Sequence, residues 1–167
     1  METVMLRTVL LASVALYAAV PGVSAQRVEQ ISLDQAAARV RGSSQPTVVV
    51  FYKTTCPISR AMFPTLVSLA REHGNSTRFL VFSVDASENV GAIPTYLAAA
   101  GAPFDALHIR EWPRGAFIQT MSTFGVEVGT TWTTPLVMVR DGRGQTIASA
   151  EGIPDVSALG RVLPTLR

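Results

Sequence analysis

The run Thr47–Tyr52 (TVVVFY) consists entirely of β-branched and aromatic residues, without the alternation of a half-exposed strand. Such a run is typical of a strand that is buried on both faces, as in a parallel sheet. A second run, 79–84 (FLVFSV), follows after a segment whose apolar residues recur at helical spacing. Two buried strands joined by a helix predict a parallel βαβ unit, and its sheet must be covered by helices on both faces.

Cap and turn signals divide the rest of the chain into further elements. Ser32 and Gln35 form a capping box, which predicts a helix over 33–41. The turn 141–144 (DGRG) predicts a hairpin between strands at 136–140 and 145–150. Further helices are predicted at 57–73, 90–100 and 113–124, a short strand at 104–109, and a last helix from Pro154 with Val156, Leu159, Val162 and Leu163 as its apolar positions. This order predicts an α/β fold, a three-layer α/β/α sandwich with a mixed central sheet.

Residues 1–25 have the pattern of a signal peptide. Arg7 precedes an apolar run at 9–20, and the small residues Val23, Ser24 and Ala25 suit cleavage before Gln26. The alternative is an uncleaved anchor, but the apolar run is short for a membrane span, which needs roughly 20 residues. We therefore expect one domain at 26–167, exported to the periplasm of a Gram-negative bacterium or otherwise secreted, with no membrane span after cleavage.

The charge and cysteine content restrict the function. The net charge is only +2, with the basic residues scattered, so no nucleic acid partner is expected. Cys56 is the only cysteine, and in an oxidising compartment a solitary cysteine cannot form a disulfide within its own chain. It is either a buried small hydrophobe, a partner in an intermolecular disulfide or a reactive thiol.

The surroundings of Cys56 favour a reactive thiol. The stretch 54–60 (TTCPISR) lies between the first buried strand and a predicted helix, and a helix N-terminus lowers the pKa of a thiol. Ser59 can donate a hydrogen bond to the sulfur, and Arg60 adds positive charge if its side chain folds back. His73 is expected to be structural, and His108 is expected on the solvated surface. No short ligand spacing appears in the sequence, so no metal or other cofactor is expected.

The order of the predicted helices and strands, with the stretch 54–60 after the first central strand, resembles the thioredoxin superfamily, and within it the exported TlpA-like branch. Cys56 and Pro57 stand where that family has its nucleophilic cysteine and the residue after it. The family's other site positions are matched by Arg60, Pro64, Thr134, Pro135 and Gly152. The resemblance implies that Thr134 and a cis Pro135 face the thiol and that the long interval before them holds a TlpA-like insertion. Trp132, three residues before Pro135, is then the best candidate for lining a substrate groove.

Three positions depart from the family pattern. Ser59 replaces the second, resolving cysteine, so the site reads CPIS; an engineered trap variant would have the same sequence. Thr55 stands where tryptophan is usual, and Val50 stands where thioredoxins bury an acid that assists proton transfer. These departures leave the fold intact but exclude the usual dithiol reaction.

Three functions remain open from the sequence. The first is thiol–disulfide exchange through a single nucleophilic cysteine, monothiol or isomerase-like, with exported cysteine-containing proteins or a redox partner protein as partners. The second is a non-catalytic thioredoxin-like binding module with a degenerate site. The third is a one-cysteine peroxidase, which is less well supported because Lys53 and Val49 replace residues that its motif requires.

Overall fold

The computed structural model describes residues 28–152 and 155–165, so the predicted signal peptide lies outside the described residues. Its sheet has six strands in the order β1-β4-β3-β2-β5-β6. The strands are β1 Glu29–Ile31, β2 Thr47–Tyr52, β3 Arg78–Ser83, β4 Leu107–Ile109, β5 Leu136–Arg140 and β6 Thr146–Glu151. The helices are α1 Leu33–Arg41, α2 Pro57–His73, α3 Ile93–Ala100, α4 Arg114–Thr123 and α5 Leu159–Val162.

Strand β2 lies in the middle of the sheet and is buried along its whole length. It runs parallel to β3, with Thr47 beside Arg78, and antiparallel to β5, with Thr47 beside Arg140. The predicted βαβ unit and the hairpin are therefore both confirmed. Because β2 and β5 are neighbours, the segment after β2 and the segment before β5 meet at one end of the sheet.

Each face of the sheet carries its own apolar core. One core packs α1 and α4 against side chains such as Val49, Phe51 and Phe82. The other packs α2, α3 and α5 against the opposite side chains of the same strands, among them Val48, Val50 and Val81. Alternate residues of β2 thus enter different cores, which gives the predicted three-layer α/β/α sandwich.

The segment between β3 and α4 forms an insertion. It consists of a 3₁₀ turn, Ser87–Ala92, then α3 and the short strand β4. Strand β4 runs parallel to β3, and β1 then pairs in parallel with β4. The sequence analysis predicted the inserted helix and strand but not β1, which has only three residues, two of them exposed.

Strand β6 forms one edge of the sheet, and none of its residues is buried. Val139 pairs with Ala148 whereas Arg140 pairs with Thr146, so Ile147 is the extra residue of a β-bulge. The Ile147 side chain is 45% exposed.

The predicted final helix is present only in part. A 3₁₀ turn at Val156–Ala158, the four residues of α5 and a further 3₁₀ turn at Leu163–Thr165 replace one continuous helix. Pro154, its predicted start, lies outside the described residues. Of the four apolar positions predicted for this helix, Val156, Leu159 and Leu163 are buried, whereas the Val162 side chain is exposed. Within residues 28–152 and 155–165, no helix is long and apolar enough to cross a membrane.

Candidate active site

Cys56 lies at the junction between β2 and α2. A short turn follows Tyr52, and Cys56 then takes the N-cap position of α2 with extended backbone geometry. Pro57 occupies the first turn, where its missing N–H costs no helical hydrogen bond. The Arg60 N–H donates to the Cys56 carbonyl at 3.0 Å, so the helix begins directly after the cysteine. The sulfur is therefore held at a helix N-terminus, as the sequence analysis expected.

The residue that contacts the sulfur is distant from it in sequence. The Cys56 thiol donates to the Thr134 carbonyl, with 3.2 Å between Sγ and the oxygen. The peptide bond between Thr134 and Pro135 is cis, and β5 begins at the next residue. Because β5 pairs with β2, residues 78 positions apart in sequence meet beside the thiol.

The surroundings of the sulfur favour the thiolate. Partial burial raises the pKa of the Cys56 thiol, but hydrogen bonding outweighs it and the net pKa is lowered. The groups that lower it are the backbone N–H of Ser59, the side chains of Thr134 and Ser59, and the backbone N–H of Ile58. These backbone N–H groups belong to the first turn of α2, where no helical partner exists for them.

Ser59 is fully buried in the first turn of α2, three residues after the cysteine. In the thiol form its hydroxyl has no hydrogen-bond partner of normal geometry among the described residues. The hydroxyl is thus free to donate to the sulfur once the Cys56 proton has left. Arg60 is exposed, and its positive charge lowers the pKa of Tyr96, against the larger raising effect of burial.

A groove of about 400 Å³ opens beside the thiol. Trp112 and Trp132 form part of its wall, with ring centroids 5.5 Å apart in an edge-to-face arrangement. Trp132 also stacks on Phe117 at 4.4 Å, so the core holds its ring in place. Lys53 and Arg114 line the same groove. The structure therefore brings Cys56, Thr134 and Trp132 together, although their roles in a reaction stay predictions.

A buried acid near the site was missed by the sequence analysis. Asp85 follows β3 and is only 3% exposed. Its two oxygens accept from the Thr54 N–H at 3.0 Å, the Thr54 hydroxyl at 2.9 Å and the Ser83 hydroxyl at 2.7 Å. Thr54 precedes Cys56 by two residues, so Asp85 anchors the turn that presents the cysteine. The sequence signal that could have revealed it is an aspartate directly after a buried strand, at the end of the sheet where Cys56 also lies.

The expectation that His108 is solvated is wrong. His108 lies in β4, which is enclosed between β1 and β3, and is only 2% exposed. Burial lowers the pKa of its imidazole, against the raising effect of the Asp85 carboxylate. His73, expected to be structural, lies at the end of α2 and is half-buried.

Two tyrosines lie near Asp85, and burial, with the Asp85 charge as a smaller contribution, raises the pKa of both phenols. The rings of Tyr52 and Tyr96 are stacked with centroids 5.9 Å apart. Burial raises the pKa of both phenols, that of Tyr96 to about 12, so both stay neutral at physiological pH. Their hydroxyl groups have no hydrogen-bond partner in the part of the chain that the structure describes.

Among the described residues, no three His, Cys, Asp or Glu side chains lie close enough together to hold a metal ion.

Comparisons with known proteins find similar structures but no match by sequence. No protein-family model matches the sequence, and no curated protein sequence matches it. Among solved structures, a thioredoxin-family thiol:disulfide interchange protein from Chlorobium tepidum is 19% identical with a TM-score of 0.57, covering 78% of this chain and 83% of its own. A secreted Mycobacterium tuberculosis disulfide oxidoreductase homologous to E. coli DsbE is 16% identical with a TM-score of 0.55, covering 74% and 84%. An exposed lipoprotein thioredoxin from Streptococcus pneumoniae is 18% identical with a TM-score of 0.50, covering 74% and 87%.

The chain therefore has the thioredoxin fold. Within that fold it carries a single cysteine, Cys56, with Ser59 at the third position after it. At identities this low, the likeness establishes the fold, and the function must be argued from the site itself.

Proposed function

We propose that this protein is an exported thiol–disulfide exchange protein that acts through Cys56 alone. The observation that carries the proposal is the position of the thiol. It lies at the N-terminus of α2, has a lowered pKa and borders an open groove. A thiolate is the attacking species in disulfide exchange, so a lowered pKa raises the reactive fraction at neutral pH.

The reaction has two exchange steps. The Cys56 thiolate attacks one sulfur of a partner disulfide, forming a mixed disulfide while the other partner sulfur leaves as a thiolate. A second thiolate then attacks the partner sulfur of the mixed disulfide and releases Cys56. One disulfide is consumed and one is formed, so the protein is neither oxidised nor reduced over the cycle.

Ser59 decides where the second thiolate comes from. A cysteine at this position would attack the mixed disulfide from within the same helix turn, but a serine hydroxyl cannot form a disulfide. Release must come from another thiol of the partner or from an external thiol. This restriction supports monothiol or isomerase-like exchange rather than net oxidation or reduction.

Export is supported by two observations. Residues 1–25 have the pattern of a signal peptide, and the similar structures include a secreted disulfide oxidoreductase and an exposed lipoprotein. The partners proposed are exported proteins that contain cysteines, or a redox partner protein in the same compartment.

Trapping of mixed disulfides tests the proposal. The wild-type chain and Cys56→Ala are expressed with an affinity tag, free thiols are alkylated in acid, and the captured proteins are separated on non-reducing gels. We expect adducts that disappear with reductant and are absent from Cys56→Ala. Arg143→Gln, which changes an exposed side chain in the β5–β6 turn, serves as the control and should give the wild-type adducts.

A different outcome would favour the binding module. If Cys56→Ala retains the same partners, and no adduct depends on reductant, the domain binds its partners without exchanging disulfides.

A further inference from the structure

The groove beside Cys56 is lined by two positive charges. Lys53 and Arg114 both contribute to it, and none of the eight described residues that line it is acidic. Glu111 adjoins Trp112 in sequence but lines a separate groove, which runs along α1 and α4. The lining of the groove therefore carries a net positive charge, although the net charge of the whole chain is only +2.

Neither cation is neutralised by a carboxylate within the described residues. The Lys53 ammonium lies 5.4 Å from the centroid of the Trp112 ring. The Arg114 guanidinium donates to the carbonyl of Thr130, in the loop before Trp132. These neutral partners fix the positions of both charges but leave them available to an anion.

The groove also has room for a small molecule. Its volume of about 400 Å³ is at the lower end of the range for small-molecule sites, roughly 300–1,000 Å³. Two tryptophan rings supply apolar wall, and the Cys56 sulfur supplies the reacting atom. A small compound with a sulfur and nearby carboxylates would match the groove in size, charge and chemistry.

We propose that the external thiol or disulfide that exchanges with Cys56 is a low-molecular-weight compound bearing carboxylates close to its sulfur. This inference rests on the proposed function and names its co-substrate. Lys53 and Arg114 pair with the carboxylates, and they offset the repulsion between the anionic disulfide and the attacking Cys56 thiolate.

The exchange step balances without any other reactant. The Cys56 thiolate attacks an anionic disulfide, the Cys56–S–S bond forms, and one half of the compound leaves as a carboxylate-bearing thiolate. In the release step, a thiolate of the same compound attacks the partner sulfur of a mixed disulfide between Cys56 and its partner. A disulfide between the compound and the partner forms, and Cys56 leaves as a thiolate. This external thiolate does what Ser59 cannot do.

Three symmetric disulfides of similar size test the charge preference: dithiodipropionate (anionic), hydroxyethyl disulfide (neutral) and cystamine (cationic). The rate of mixed-disulfide formation at Cys56 is followed by mass spectrometry for the wild-type protein, Lys53→Gln, Arg114→Gln and the double variant. The variant-to-wild-type rate ratio for each disulfide removes differences in leaving-group chemistry. An exposed charge changes such a rate by about two- to fivefold.

We expect the double variant to react with dithiodipropionate about fivefold more slowly, or slower still, since the two contributions multiply. The rate with hydroxyethyl disulfide should be unchanged, and the rate with cystamine should rise. Lys53→Arg and Arg114→Lys keep the charge and should keep the preference, and Arg143→Gln is the control for charge outside the groove. Raising the salt from 0.1 M to 1 M, which shortens the screening length from about 10 Å to 3 Å, should reduce the preference.

Equal rate ratios for all three disulfides would overturn this inference while leaving the proposed function standing. Failure of Cys56 to react with any of them would refute the proposed function itself.

Discussion

Replacing Asp85 tests whether a buried carboxylate anchors the active-site turn. Asp85→Ala removes the acceptor for three donors: the Thr54 N–H, the Thr54 hydroxyl and the Ser83 hydroxyl. Thr54, Ser83 and Asp85 are all buried, so water cannot replace the lost acceptor without opening the structure.

The expected loss of stability follows from these contacts. A buried donor left without an acceptor costs about 1–3 kcal/mol, but the two hydroxyls can rotate toward other acceptors. We therefore expect the free energy of unfolding to fall by about 3–5 kcal/mol, out of the roughly 5–15 kcal/mol typical of a domain. Asp85→Asn keeps one oxygen and the side-chain shape, so its loss should be smaller, about 1–2 kcal/mol.

Urea denaturation at 25 °C, followed by tryptophan fluorescence, measures the change. With a slope of about 1–3 kcal/mol per molar urea, Asp85→Ala should lower the midpoint by about 2 M. Asp105→Ala is the control, because this aspartate is exposed, and a surface change of this kind should stay within about 0.5 kcal/mol of wild type.

A loss below about 1 kcal/mol for Asp85→Ala would refute the reasoning, since it would mean that the three donors find other acceptors at no cost. The same conclusion would follow if Asp85→Asn were as destabilising as Asp85→Ala, because shape and the remaining acceptor would then contribute nothing.

Two further predictions concern the thiol. Because its pKa is lowered, Cys56 should react with iodoacetamide in the native protein with a pH midpoint below the value of about 8.5 for a free thiol. Ser59→Ala should move this midpoint upward. A thiol that labels only after unfolding would contradict the prediction. Ser59→Cys should form an intramolecular disulfide with Cys56, seen as a loss of two hydrogens in mass, and gain insulin reduction with dithiothreitol. The absence of any disulfide under oxidising conditions would show that the two positions are not suitably oriented for exchange.

The central elements could be predicted from the sequence because their signals are local. The capping box of Ser32 and Gln35 is formed as predicted, and α1 ends at Arg41. The apolar runs became β2 and β3, and Pro57 begins α2. In each case the residues that give the signal also form the element.

Features that depend on distant contacts could not be read in the same way. The burial of His108 requires β1, whose three residues carry too little pattern to predict a strand. Val50 correctly indicated that no acid lies in the middle of β2. Another buried acid, Asp85, follows the neighbouring strand, and only the fold brings it to Thr54. The groove could not be predicted either, because Trp112 and Trp132 are brought together only by α4 and the loop before β5.

The bulge at Ile147 has a consequence for how the protein behaves at high concentration. A flat edge strand is a template to which a second molecule can add, and β6 has little charge along it to prevent this. The extra residue interrupts the even row of backbone N–H and C=O groups and twists the strand, so two copies cannot match their edges. Protection by backbone shape, unlike protection by lysine or glutamate side chains, is insensitive to salt and to pH. The β6 edge should therefore resist edge-to-edge association under the acidic or high-salt conditions in which charge-protected edges begin to associate.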